Sequence, residues 1–141
     1  MLIRDATAGD LPFAVELLGA AALPTSDLNP DHLALVAEGD VGLAGVIGLE
    51  RFGDVALLRS LVVSPPARGA GVGRALVQAL EALARAQGVR ELWLLTIDAD
   101  AFFCGLGFVV RDRASTPRAI RGSTEFSCLC PADAVLMSKQ L

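Results

Sequence analysis

The chain has no tyrosine, a single histidine and a single tryptophan among its 141 residues. No phenol is therefore available as a proton donor, and imidazole chemistry is confined to His32. Cysteine is scarce as well. Cys104, Cys128 and Cys130 make an odd set with no disulfide framework, which predicts a reducing, cytoplasmic setting. Long hydrophobic runs are missing: the longest, Val41 to Leu49, is far short of the ~20 residues that a membrane span needs. Arg4 and Asp5 come too early for a secretory leader, so none is expected. There is no basic surplus either. Twelve Lys and Arg stand against 16 Asp and Glu, a net charge of −4 without a basic stripe, which argues against nucleic acid as partner. Hydrophobic residues make up 53% and charged ones 20%, so disorder is not expected. Residues 1–141 are read as one domain, long enough to bury a full core.

What is present is a punctuated order of short elements. Leu2-Ile3-Arg4 reads as a first strand, and Thr7-x-x-Asp10 as a capping-box-like start to a helix ending near Ala22. Pro24 to Pro30 bound a polar loop. Leu33–Glu38 and Val41–Arg51 read as strands joined at Gly39-Asp40, with a second turn at Phe52-Gly53-Asp54 before a strand Val55–Val63. A helix over Gly71–Gln87 buries Val72, Leu76, Ala79, Leu80 and Leu83 and turns Arg74, Gln78, Glu81 and Arg85 to water. Glu91–Thr96 is then a buried parallel strand, because a helix connects it to the one before. A short helix Ala99–Leu106, a strand Phe108–Arg111, a polar connection over 112–133 and a last strand Ala134–Lys139 complete the chain. This order predicts a mixed sheet covered by helices.

The most informative stretch is Leu61-Val62-Val63-Ser64-Pro65-Pro66-Ala67-Arg68-Gly69-Ala70-Gly71-Val72-Gly73-Arg74. Free N–H groups at a helix N-terminus, approached through glycines, suit a phosphate or pyrophosphate, and Arg68 and Arg74 flank the turn with positive charge. Two nucleotide motifs fail here. Gly73-Arg74-Ala75 lacks the Lys-Ser/Thr of the phosphate loop, and the dinucleotide fingerprint lacks its third glycine and its acidic strand end.

The pattern Arg68-x-x-Gly71-x-Gly73, after a strand and opening a helix, resembles the acyl-coenzyme A motif of the GNAT acetyltransferases. Leu61-Val62-Val63-x-Pro65 resembles that family's pre-turn strand, and Phe102-Phe103-Cys104-Gly105-Leu106-Gly107-Phe108 its late helix–strand junction. The likeness covers nearly the whole chain and implies an α/β (α+β) GNAT fold, a central mixed β-sheet flanked by helices. It also implies acetyl-CoA (coenzyme A) as cofactor, with the backbone from Arg68 through Gly69, Ala70, Gly71, Val72 and Gly73 to Arg74 around the pyrophosphate. The strand end Leu61, Val62 and Val63 would splay from its neighbour and pair with the pantetheine arm, a backbone N–H at Leu61 or Val62 polarising the thioester carbonyl. A neutral amine would then attack directly. One position departs: many members carry a tyrosine as general acid where this chain has Phe103, so that role does not carry over.

The aromatic pair, after a strand ending Leu94-Leu95-Thr96, resembles the amino-acid N-acetyltransferases of the glutamate type, which places Thr96 and Phe103 at the acceptor. The stretches Gly48-Leu49-Glu50-Arg51-Phe52-Gly53-Asp54-Val55-Ala56-Leu57-Leu58-Arg59-Ser60 and Glu125-Phe126-Ser127-Cys128-Leu129-Cys130-Pro131 resemble small acetyltransferases associated with arsenic-resistance genes. That implies an amino acid or a glutamate-like arsenical as acceptor amine.

An amino-acid acceptor needs a cation for its carboxylate and a base for its ammonium. Arg59, inside an apolar strand, is the candidate clamp, against an ordinary salt-bridged strand arginine. Glu50 is the candidate base, against a hairpin carboxylate paired with Arg51 or Arg59. His32 is the other base available, against a solvated loop residue. Arg111, Arg113, Arg118 and Arg121 either close over an anion or make a solvated loop. Cys128-x-Cys130 admits an arsenite or metal reading, but lacks a third ligand nearby. Buried small hydrophobes are the alternative, Cys104 is read as core, and no metal site is expected. The expected partner is a small-molecule amine, with no nucleic acid and no membrane, and a homodimer left open. The competing readings are another amine (polyamine, aminoglycoside or protein terminus), a non-catalytic acyl-CoA sensor, and a thiol-based arsenite-binding module.

Overall fold

The computed structural model describes residues 1–20, 32–40, 42–121 and 134–141. Seven strands form one sheet: β1 (Leu2–Asp5), β2 (Leu33–Gly39), β3 (Gly42–Phe52), β4 (Val55–Val63), β5 (Glu91–Thr96), β6 (Val109–Val110) and β7 (Val135–Gln140). Their spatial order is β1-β2-β3-β4-β5-β7-β6. The pairs are antiparallel except β4–β5, where helix α2 (Val72–Ala86) makes the crossover that a parallel pair requires. Helices α1 (Leu11–Ala20), α3 (Asp100–Gly105) and α4 (Arg118–Arg121) complete the described elements. The expected mixed sheet flanked by helices is the observed architecture.

Helix α2 covers one face. Its Leu76, Val77, Leu80 and Ala84 pack on Leu35, Ala37, Ala56, Leu58, Leu92 and Leu94. The opposite face carries two separate clusters. Ala14 and Leu18 of α1 sit on Val36, Val46 and Val62, while Ile120 of α4 joins Leu57, Trp93 and Leu136. Along β4, Ala56 and Leu58 point into the α2 core and Leu57 into the α4 cluster, so Arg59 shares the face of Leu57. Beyond Ser60 the parity is reversed: Leu61 and Val63 pack on the α2 core and Val62 on the α1 cluster.

One extra residue in β4 accounts for the reversal. Gly48 pairs with Arg59 but Val46 pairs with Val62, so three steps on β4 oppose two on β3. Ser60 absorbs the bulge at φ 60°, the one positive φ of a residue other than glycine among those described.

Several sequence expectations are corrected. Glu81, assigned to water, is 6% exposed and bonded to Lys139, while Val77 and Ala84 are fully buried and Ala79 and Leu83 only half-buried. Cys104, assigned to the core, is exposed on α3. The strand expected over Phe108–Arg111 shrinks to Val109–Val110, and the connection read as polar coil contains a 3-10 turn (Arg113–Ser115) and α4. Cys128 and Cys130 lie outside the described residues, as do Pro24 to Pro30. No helix among the described residues is long and apolar enough to cross a membrane.

Candidate functional site

The glycine turn follows β4 through a 3-10 turn at Pro65–Ala67. Gly69 and Gly71 stand at φ 83° and 81°, left-handed values that side chains rarely adopt, so the turn needs glycine at both. The first helical bond of α2 runs from the Ala75 N–H to the Gly71 carbonyl, 3.0 Å. The N–H groups of Val72, Gly73 and Arg74 precede that ladder, and the helix dipole adds partial positive charge to them. The Val72 side chain is in the core, so only its backbone faces the turn. Ala70 and Arg74 are exposed, and exposed Arg68 donates from Nε to the Val63 carbonyl at 3.3 Å. A Cβ on Gly73 would meet Phe102 at 3.4 Å and Val63 at 3.6 Å, which places the Phe102 ring beside the turn. The donor set fits a pyrophosphate: three N–H groups at a helix start, reached across glycines and flanked by two arginines.

Next to the turn the sheet opens. β4 and β5 pair only at Val55–Glu91, Ala56–Leu92 and Leu57–Trp93. Beyond that, β4 stays bonded to β3 as far as Gly45–Val63, and β5 stays bonded to β7 as far as Thr96–Val135. Leu61 and Val62 therefore lie on a β4 edge with no strand beside it among the described residues, immediately after the Ser60 bulge. Thr96 forms the other lip, its Oγ1 accepting from the Ala99 N–H at 3.0 Å ahead of α3. Phe103 is 5% exposed in the α2-side core, edge-on to Phe102 and Phe108 at centroid distances of 5.1 and 5.5 Å.

On the face away from α2, between the α1 and α4 clusters, lie three polar groups. The Arg59 side chain is wholly buried, and its Nη1 donates to Glu50 Oε1 at 3.0 Å. Its Nε reaches Ser60 Oγ at 3.4 Å. His32 Nε2 is 3.9 Å from the same Glu50 oxygen, a charge contact longer than a hydrogen bond. The structure thus joins Arg59 to Glu50, and adds His32 to them rather than leaving it in solvent. Gly48 makes this possible: a Cβ there would collide with the His32 carbonyl and press on Arg59. Arg51, by contrast, is exposed and donates to the Gly53 carbonyl at 3.2 Å.

The late arginines disperse. Arg111 lies 5.0 Å over the Trp93 ring and donates to Ser138 Oγ at 3.1 Å. Arg113 donates to the Ala134 carbonyl and Arg121 to that of Ala114, while Arg118 is exposed. No group of three metal-ligating side chains occurs among the described residues. Sequence reasoning missed Ser60, which carries no local signal. It undervalued His32, whose placement depends on Gly48 in a distant strand.

A sheet that parts beside a glycine-lined helix start defines an acyl-coenzyme-type α/β fold. The chain belongs to the acetyltransferase (GNAT) family, whose model matches residues 4–108. It is similar to mouse N-alpha-acetyltransferase 80, 48% identical over 52 residues, which are 37% of this chain and 17% of that protein. Among solved structures it is similar to N-acetylglutamate synthase from Neisseria gonorrhoeae complexed with coenzyme A and N-acetyl-glutamate. That likeness has a TM-score of 0.85 and 24% identity, over 99% of this chain and 35% of that one. The Mycobacterium tuberculosis protein Rv2747, in complex with CoA and NLQ, gives 0.83 and 22% over 100% of this chain and 99% of that one. The chain thus spans a small part of the mouse protein, about a third of the Neisseria chain and nearly all of the Mycobacterium chain.

Proposed function

We propose that the chain transfers an acetyl group from acetyl-CoA to the amine of a small amino-acid-like acceptor, glutamate or a glutamate-like arsenical being the leading candidates. Acetyl-CoA, when bound, supplies the activated acyl group as a thioester. Around it, the N–H groups from Gly69 to Arg74 hold the pyrophosphate, and the open β4 edge at Leu61 and Val62 aligns the pantetheine arm. A backbone N–H on that edge stabilises the oxyanion that forms on attack. Thr96, at the end of β5, stands at the lip opposite, whereas Phe103 is buried in the α2-side core on the face away from Arg59 and is not an acceptor contact, contrary to the sequence expectation. No phenol protonates the departing sulfur, and none is required, because an ordinary thiol ionises near pH 8.5 and water can supply the proton.

The observation that carries the acceptor assignment is Arg59. Its side chain has no solvent exposure, it is held by Glu50, and it lies on the face away from α2, two residues before the β4 edge at Leu61. A desolvated guanidinium is a strong, planar receptor for a carboxylate. Hydrogen bonds to charged groups contribute about 1.5–3 kcal/mol, so Arg59→Ala should lower kcat/KM for an amino-acid acceptor by roughly 10- to 150-fold. The test is product mass after incubation with acetyl-CoA and a panel of glutamate, glutamate-like arsenicals, other amino acids, polyamines and an aminoglycoside. Turnover restricted to the polycations would overturn the acceptor class.

A further inference from the structure

We propose that His32 is a catalytic residue that accepts the proton of the acceptor ammonium, with Glu50 orienting the ring. The inference rests on the acetyl-transfer reading above. Its starting point is an unsatisfied atom: His32 Nδ1 is buried and has no hydrogen-bond partner. A buried polar atom without a partner carries a desolvation cost that a native structure rarely tolerates without a role. Among the described residues, the charged group shown against the ring is Glu50 on β3, which is in turn bonded to Arg59 on β4. Glu50 bears on the Nε2 side, its Oε1 lying 3.9 Å from Nε2 and 3.0 Å from Arg59 Nη1. A carboxylate next to Nε2 favours the tautomer with the proton there, which leaves the Nδ1 lone pair as the acceptor.

The division of labour follows from charge. Glu50 is already engaged by the buried Arg59 guanidinium, which leaves the Nδ1 lone pair of His32 as the unoccupied acceptor. Imidazole is the side chain most often used to take a proton in general base catalysis. The acceptor's ammonium gives one proton to Nδ1, and the neutral amine attacks the thioester carbonyl carbon. A C–N bond forms and the carbonyl electron pair moves to oxygen. Collapse of this adduct breaks the C–S bond. The nitrogen loses a second proton to give the amide, the thiolate takes up one proton, and the imidazolium releases the other to water.

The experiment is the pH profile of kcat/KM for the wild type and His32→Gln, taken on whichever amine of the panel the wild type acetylates. An error in the acceptor class then changes only the substrate used. The expected result is a 10²- to 10⁴-fold loss at pH 7, recovering at alkaline pH as the amine deprotonates unaided, with coenzyme A affinity unchanged as the control for folding. A profile parallel to the wild type, or a loss below threefold at pH 7, would overturn the proposal. A second readout needs no turnover. The chain has one histidine, so ¹⁵N imidazole resonances report it alone. The Nε2–H tautomer is expected in the wild type and a mixture in Glu50→Gln, and an Nδ1–H tautomer in the wild type would equally overturn the assignment.

Discussion

Lys139 offers the sharpest test of how the sheet is held to its helix. Its Nζ donates to both carboxylate oxygens of Glu81, at 2.8 and 3.0 Å, and to the Leu106 carbonyl at 2.8 Å. One ammonium therefore joins the middle of α2, the end of α3 and β7. The two partners differ in access to water: the Glu81 side chain is 8% exposed and that of Lys139 is 24% exposed. Removing the ammonium strands a carboxylate that cannot reach solvent, whereas removing the carboxylate leaves an ammonium that keeps Leu106 and can turn outward. Breaking a buried pair by deleting one partner costs about 3–5 kcal/mol, and Lys139→Met should fall in that range. Glu81→Gln, which retains an acceptor oxygen, should cost about 1–2 kcal/mol, the scale of one hydrogen bond. The double change to Met at 81 and 139 should recover most of the Lys139→Met loss, because it buries no charge.

Urea unfolding of the two single variants and the double reads these differences as changes in midpoint at constant slope. At this chain length each kcal/mol corresponds to roughly 3–4 °C in Tm, so Lys139→Met should melt about 10–15 °C lower. A Glu81→Gln cost equal to that of Lys139→Met, or a double variant no more stable than Lys139→Met alone, would refute the argument.

The coenzyme turn and the N-terminal cluster give two further expectations. At Gly71, φ is 81° with open space around a Cβ, so Gly71→Ala meets strain without a clash; it should cost about 1–2 kcal/mol and weaken coenzyme A binding at least tenfold by calorimetry. Asp10 accepts from Arg4 Nη1 and Nη2 at 2.9 and 3.0 Å and from the Thr7 N–H at 2.8 Å; the arginine bonds, first, hold its carboxyl at about 2 against the usual 3.8. That contribution is present above pH 3.8 and is lost as pH falls through 2, so acid unfolding of Asp10→Asn should show a shallower dependence than the wild type between those values, and matching curves would refute it.

The glycine turn was legible because its geometry is local. Left-handed glycines, a helix start and a preceding β-branched run sit within a dozen residues, and the helical period of α2 names half of its buried residues, Val72, Leu76 and Leu80. The errors arise where a distant partner intervenes. Glu81 lies 58 residues from Lys139, and nothing in the helix itself announces that a cation will enter from β7. Cys104 was assigned inward on composition alone, although a six-residue helix has room to bury only Phe103. His32 looked solvated beside a proline-bounded loop, and its burial depends on the missing Cβ of Gly48 on another strand.

Ser60 is the least legible position and the one from which the site follows. A strand of uninterrupted alternation would send Leu61 to the face that Arg59 occupies. The added residue instead returns Leu61 and Val63 to the α2 core while Arg59 keeps to the opposite face. β4 also parts from β5 on this stretch, so the free edge falls within two residues of the buried cation. In the proposed function, the thioester alignment and the acceptor site then draw on the two sides of one strand, and any change that removes the bulge should disturb both together.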